Sequence, residues 1–360
     1  MSRKTALVVA PGRGTYNKEE LGYLKRHHAH HVELIAGFDA ERRRMGQRPL
    51  HDLDGAERYS VNEFSRGDNA SGLIHACAIC DFLDIDTDQY EVVAITGNSM
   101  GWYLALACSG SLAQQDGFKL VNTMGTFMQD GLIGGQMIYP FVDDAWREIP
   151  GKRTALLSLI EEVPGLYLSI ELGGMLVLAG EESALAAAEA RLEPIGGRFP
   201  MRLANHAAFH TPLQQPVSER GRGALPVELF GKPSWPLVDG RGHIWYPFET
   251  SVPDLWDYTL GHQVVQHYDF SAAVRHGVRE FAPEVIILLG PGGTLGGAIA
   301  QVLIADEWRG LTSKTEFAER QSSDPILLSM GLADQRAKVV SRGKAQTSNL
   351  TPWANGRSAE

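Results

Sequence analysis

VAITGNSMGWYLALACSGSL, residues 93–112, joins an apolar, β-branched run to a helical pattern across Gly97-Asn98-Ser99-Met100-Gly101. The pentapeptide fits G-x-S-x-G, where a serine sits on a sharp strand-to-helix turn and small neighbours tolerate the crowded backbone. The helix that follows aims free N–H groups at the place where an oxyanion would develop. Glycine and serine also abound in ordinary loops, but the flanking strand and helix supply the required context. Ser99 is therefore a candidate nucleophile.

Working outward, KTALVVA (4–10) reads as a buried opening strand closed by Pro11-Gly12, not as a signal peptide. Residues 18–50 are polar and helix-prone, and 51–68 read as a polar connection. Asn69 to Leu83 reads as a core helix, 90–96 as a second strand, Gly101 to about Ser109 as a helix, and 112–129 as another. Such alternation predicts an α/β fold with a parallel sheet covered by helices. Between 132 and 203 the order changes to β-α-β-β-α-β, which predicts an inserted ferredoxin-like subdomain. RFPMRLA (198–204) supplies its last strand and EESALAAAEARLEPI (181–195) its second helix. The core is thus expected to comprise 1–131 and 204–310, with PEVIILLG (283–290) as a further strand. Residues 311–360 form a C-terminal extension whose last twenty or so residues, polar and turn-rich, are expected to be loose.

Composition narrows the function classes. The 360 residues are 44% hydrophobic and 21% charged, with a net charge of −10. No apolar run approaches the roughly 20 residues of a spanning helix, so no membrane role is expected. The acidic balance speaks against nucleic-acid binding. ERRRMGQR (41–48) is a local basic segment, either a solvated helix face or a docking patch for an acidic partner. Three cysteines suggest a reducing, cytoplasmic setting. Cys77 and Cys80 have redox spacing, but they lie in an apolar helical pattern and read as core. No metal site is expected.

A serine needs a base to attack a carbonyl at neutral pH. Of twelve histidines, His210 stands out in Ala207-Ala208-Phe209-His210-Thr211-Pro212, where proline fixes the chain direction. His206 lacks that context. A partly buried histidine bonded to backbone is the alternative reading. GPGGTLGG (290–297) departs from the dinucleotide pattern G-x-G-x-x-G at Leu295 and reads as a tight turn.

Together these pieces resemble the malonyl-CoA:acyl carrier protein transacylases and the acyltransferase domains of polyketide synthases, over roughly residues 5 to 305. VVAPGRG (8–14) is similar to the family's opening FPGQG, GNSMG to GHSLG, LVNTMGTFMQ (120–129) to LVxxRGxxMQ, AAFHTPL to GAFHSPL, and LLGPGGTL to EVGPGxxL. Gln263, seven residues before Phe270, lines up with a family glutamine placed seven before a tryptophan. The resemblance implies an α/β-hydrolase-like core and a monomer of fatty acid or polyketide biosynthesis. It also implies a Ser99–His210 dyad, with the Gln263 backbone carbonyl orienting the imidazole and the backbone N–H groups of Met100 and Arg13 forming the oxyanion hole. Coenzyme A thioesters and the phosphopantetheine of an acyl carrier protein would carry the substrate, with no permanently bound cofactor.

The departures matter as well. Malonyl-loading members place an arginine where this chain has Met124. A thioether cannot pair a carboxylate, so an uncharged acyl group is the expected substrate. Alternatively, Arg13, absent from the usual pattern, grips a carboxylate from the oxyanion loop. Phe209 resembles members that accept an unbranched α-carbon, while Asn98 and Trp102 replace the usual His and Glu beside the elbow and alter the acyl pocket. An editing thioester hydrolase and a silent carrier-docking protein are further readings. An ordinary hydrolase would require an acidic third member, for which only Asp143 or Asp144 could be nominated.

Overall fold

In the computed structural model, which describes residues 2–341, two sheets organise the chain. At the centre of the larger lies β1 (Lys4–Ala10), buried from Ala6 onward because it is covered on both faces. On one side it pairs in parallel with β2 (Tyr90–Gly97). The smaller sheet takes β3 (Gly135–Pro140), β4 (Leu166–Leu172), β5 (Met175–Gly180) and the two-residue β6 (Met201–Arg202). The larger sheet continues through β7 (Leu237–Val238) and β8 (Ile244–Trp245), while β9 (Tyr268–Asp269) pairs in parallel with β4. Beyond β1 lie β10 (Val285–Leu288) and β11 (Leu327–Ser329). The larger sheet runs β11-β10-β1-β2-β7-β8, parallel except for β8, and the smaller β6-β3-β5-β4-β9.

Among the helices are α1 (Tyr23–His27), α2 (Val32–Arg44), α3 (Gly67–Leu83), α4 (Gly101–Cys108), α5 (Gln114–Asp130), α6 (Lys152–Glu162), α7 (Glu182–Glu189), α8 (Gln215–Ala224), α9 (Phe270–Phe281), α10 (Gly296–Ala305) and α11 (Ala333–Val339). Helices α3 and α4 are buried nearly all round; α4 is apolar throughout, whereas α3 also buries Asn69, Ser71, His75 and Asp81. The fold is α/β, with the β3-α6-β4-β5-α7-β6 unit as the small subdomain. That unit has its own core around Met137, Leu159, Leu178 and Leu185.

Several expectations change. The larger sheet does not end near residue 310, because Leu327–Ser329 adds an edge strand to β10 and Val339 O accepts from Asp86 N–H. The extension is thereby tied to the core as far as Val340, which bridges Ile85; the tail expected to be loose lies outside the described residues. Helix α7 stops at Glu189, well before Ile195, and β6 is only two residues long beside Pro200, which offers no N–H for a ladder. The 51–68 connection contributes Phe64, fully buried and stacked on Tyr16 and Tyr59. In the basic 41–48 segment, Arg43 and Arg44 face solvent, but Arg42 is fully buried. Its guanidinium donates to the carbonyls of Arg48 and Asp68 and to the side chains of Asn69 and Asn122, so it pins α2 to α3 and α5. Cys77 and Cys80 are buried free thiols in α3.

The parallel register sets Ala10 beside Gly97, bringing the end of β1 against the turn that leads into α4. A Cβ on Gly97 would come within 2.2 Å of Gly101 O, and one on Gly101 within 2.4 Å of Ala10 O. Both obstacles are backbone atoms, which cannot swing aside. Gly101→Ala is therefore expected to cost about 1–3 kcal/mol, the usual range for overpacking a filled interior. Urea unfolding of the variant beside the parent measures this; an unchanged midpoint would contradict it.

Candidate active site

Ser99 occupies the turn between β2 and α4 with φ of 56°, a left-handed conformation that a non-glycine residue adopts only under constraint. The turn is held from three directions. Tyr268 donates its hydroxyl to Gly97 O at 2.5 Å, Gly101 N–H donates to Asn98 O at 2.7 Å, and Gln263 Nε2 donates to Ser99 O at 3.1 Å. Gln263 is itself fixed by Tyr103, whose hydroxyl donates to its side-chain oxygen at 2.8 Å.

His210 also has a left-handed backbone, with φ of 57°. Its Nε2 lies 2.7 Å from Ser99 Oγ, and its Nδ1 lies 2.6 Å from Gln263 O. That carbonyl is free because the helical turn Gln263–Val265 ends at once, leaving its last C=O groups without intrahelical partners. A π-helical turn, Tyr258–His262, directly precedes it. Since a carbonyl only accepts, Nδ1 carries the proton and Nε2 presents its lone pair to the serine. The small subdomain steadies the histidine's segment: Gln136 of β3 donates to Ser169 of β4, which donates to Phe209 O, each at 2.7 Å. His206 instead bonds Gln136 Oε1 through Nδ1. Asp143 accepts the N–H groups of Ala145 and Arg147 in a turn, and the third position beside His210 is filled by the Gln263 carbonyl.

Burial pushes the His210 imidazole down to about 4, only partly offset by the Gln263 carbonyl. It is therefore neutral, and able to accept a proton, across the physiological range.

Arg13, Ser71, Ser99, Met100, Val121, Gly125, Met128, Phe209, His210 and Gln263 are among the residues lining one cavity. It offers about 20 Å³, room for little more than one water. Met100 follows the serine at the N-terminal end of α4. Arg13 enters from the loop after β1. Its Nη2 donates to Ser65 O at 2.6 Å and Asn205 O at 3.1 Å, and its guanidinium carbon sits 5.3 Å from the centre of the Phe209 ring. Among the described residues, its Nε and Nη1 have no acceptor although both are buried. Burial lowers this guanidinium from its ordinary range to about 10, with Asp68 opposing the shift, so it stays charged.

Three of the sequence-selected pocket residues are placed elsewhere. Met124 is fully buried on α5 but does not line the cavity. Its neighbours at 121, 125 and 128 do, while its sulfur abuts Gly221 of α8. Trp102 is fully buried and donates its indole N–H to Thr259, so it packs under the elbow. Asn98 is half-buried and also lies off the cavity lining.

No protein-family model matches the chain. Over 323 residues it is 24% identical to the polyketide synthase GfsA of Streptomyces halstedii, covering 86% of this chain and 4% of the synthase. Over 212 residues it is 24% identical to the malonyl CoA-acyl carrier protein transacylase of Salmonella typhimurium, covering 58% of this chain and 65% of the relative. A solved malonyl-transacylase, in complex with a type II polyketide synthase acyl-carrier protein, superposes with a TM-score of 0.69 at 19% identity, over 94% of this chain and 98% of that one. Curated relatives and structural neighbours are malonyl-CoA:acyl carrier protein transacylases and polyketide synthase acyltransferases. The chain shares their fold, and its match spans less than two thirds of these two relatives' own lengths. Among the described residues, no helix is long and apolar enough to cross a membrane.

The lowered histidine has a measurable consequence. Phosphonylation of Ser99 by a fluorophosphonate needs neutral His210, so its rate should stay flat as pH falls from 8 through 6.5 and decline only as pH nears about 4. Circular dichroism at each pH controls for unfolding. An inflection near 6.5 would show an unperturbed base.

Proposed function

We propose that this protein is an acyltransferase that moves a short, carboxylated acyl group from coenzyme A to the phosphopantetheine thiol of an acyl carrier protein. The transfer reading rests on the aligned Ser99–His210–Gln263 geometry and on the names of the relatives. Substrate class rests on Arg13, a buried cation with two unmatched N–H groups in the nucleophile's own cavity. Burying such a charge is costly unless a ligand pairs it, and a carboxylate matches the planar fork. With Met124 turned toward α8, the thioether supplies no wall for an alkyl chain. These features support malonyl over the uncharged acyl group that the methionine alone suggested.

In the first half-reaction Ser99 Oγ attacks the thioester carbonyl carbon while His210 Nε2 takes the hydroxyl proton. The oxyanion is held by the Met100 and Arg13 backbone N–H groups. Collapse breaks the carbon–sulfur bond, and coenzyme A leaves with the proton from His210. The carrier's thiol then attacks the acyl-serine, again giving its proton to His210, which returns it to Ser99 as the acyl group departs. The Gln263 carbonyl keeps Nδ1 protonated throughout.

Supplying malonyl-CoA with holo acyl carrier protein, and quantifying malonyl-carrier against free malonate, tests the transfer. Carrier loading is expected; free malonate without loading would establish hydrolysis instead. Truncating one partner of a buried, hydrogen-bonded charge pair costs about 2 kcal/mol or more, so Arg13→Ala should lower kcat/KM for malonyl-CoA by about 30-fold or more. Acetyl-CoA should be affected far less. An equal loss on both substrates would remove the carboxylate role from Arg13.

A further inference from the structure

Away from the Ser99 cavity, four side chains with metal-ligating atoms converge on one point. His28 follows α1, His30 and His31 lie in the 3-10 turn Ala29–His31, and Asp84 caps the C-terminus of α3. His28 Nδ1 is 3.1 Å from Asp84 Oδ2, and the Nε2 atoms of His30 and His31 are 2.8 and 2.9 Å from Asp84 Oδ1. One donor atom from each residue falls within 4.8 Å of all the others. His28 and Asp84 are buried and His31 half-buried, whereas His30 is exposed and leaves one side open to solvent.

Donor atoms bound tetrahedrally to one ion at about 2.1 Å stand about 3.4 Å apart. The N···O separations of 3.1, 2.8 and 2.9 Å would open by about 0.3–0.6 Å to reach that value, and the wider donor pairs, all within 4.8 Å, would close toward it. Hydrogen bonding alone gives no reason to gather three imidazoles, with the His30 and His31 ring centres 4.2 Å apart, around one carboxylate. A second layer is in place. The other nitrogen of His28, Nε2, lies 3.0 Å from Asp81 Oδ1, though not aligned for a hydrogen bond. Asp81 is held by the Tyr23 hydroxyl at 2.8 Å, by Gly290 N–H at 2.7 Å and by Arg336. A buried carboxylate behind a ligating histidine is the usual means of fixing ring orientation at a metal. The Arg336 charge, 3.4 Å from Asp84, is met by Asp81.

We propose that His28, His30, His31 and Asp84 bind a divalent transition metal of the zinc type. Imidazole and carboxylate donors select such ions over magnesium or calcium, and four protein ligands make a closed, structural site. The ion would fasten the 28–31 turn to α3 and, through Asp81 and Arg336, to α11.

The test is a titration of untagged, chelator-treated full-length protein with Co²⁺, followed by displacement with Zn²⁺. One equivalent of cobalt with the intense visible bands of tetrahedral coordination, displaced by zinc, is expected. In a His30→Gln/His31→Gln variant, zinc affinity should fall by more than the 10–100-fold typical of losing an outer-shell partner. Fluorophosphonate labelling of Ser99 should be unchanged, which shows that the variant is folded. Weak octahedral bands, binding below one equivalent, or a variant that binds zinc as tightly as the parent would overturn the proposal.

Discussion

The hydrogen bond from His210 Nδ1 to the Gln263 carbonyl sets the chemistry of the whole site. In serine hydrolases with an acidic third member, a carboxylate orients the imidazole and stabilises its cation. A neutral carbonyl orients it but contributes little charge, so burial dominates and the ring is driven down to about 4. The arrangement demands that a carbonyl be unpaired at one place. Ending the helical turn right after Gln263, with a π turn just before it, meets that demand. Gln263 serves twice, since its side chain also donates to the Ser99 carbonyl and thereby couples the strained turn at Ser99 to His210.

Charge within the cavity is arranged around the same constraint. With no acidic third member, the formal charge brought to the cavity lining belongs to Arg13. Two of its nitrogens lack acceptors while the third is anchored to Ser65 and Asn205. An unsatisfied buried donor costs about 1–3 kcal/mol, more when charged. Under the proposed function, that cost would be recovered when an anionic acyl group binds beside Ser99. The guanidinium carbon also lies 5.3 Å from the Phe209 ring centre, within cation–π range.

Much of this was legible in local sequence because it depends on local rules. Continuous apolar, β-branched runs marked β1 and β2, and Gly97 and Gly101 marked a backbone contact that admits no Cβ. Proline after His210 marked a fixed chain direction. What escaped depends on which way side chains turn in the assembled core. Met124 and Met128 lie one turn apart on α5, yet only Met128 meets the cavity. Arg42 reads as one charge in a basic run, but it is buried among four acceptors, three of them from α3 and α5. Strand β11 is three residues long and becomes a strand only beside β10. Histidines 28, 30 and 31 are conspicuous in KRHHAHH, but the carboxylate they share comes from the far end of α3, 53 residues beyond His31.

The central claim is that Ser99 carries a carboxylated acyl group paired with Arg13. Intact-mass measurement of the protein after brief exposure to equimolar malonyl-CoA and acetyl-CoA, with peptide mapping of the adduct, tests it most directly. The account predicts a malonyl adduct on Ser99 forming ahead of acetyl and absent from Ser99→Ala. Acetyl labelling that matches or exceeds malonyl, or an adduct on any other residue, would contradict it.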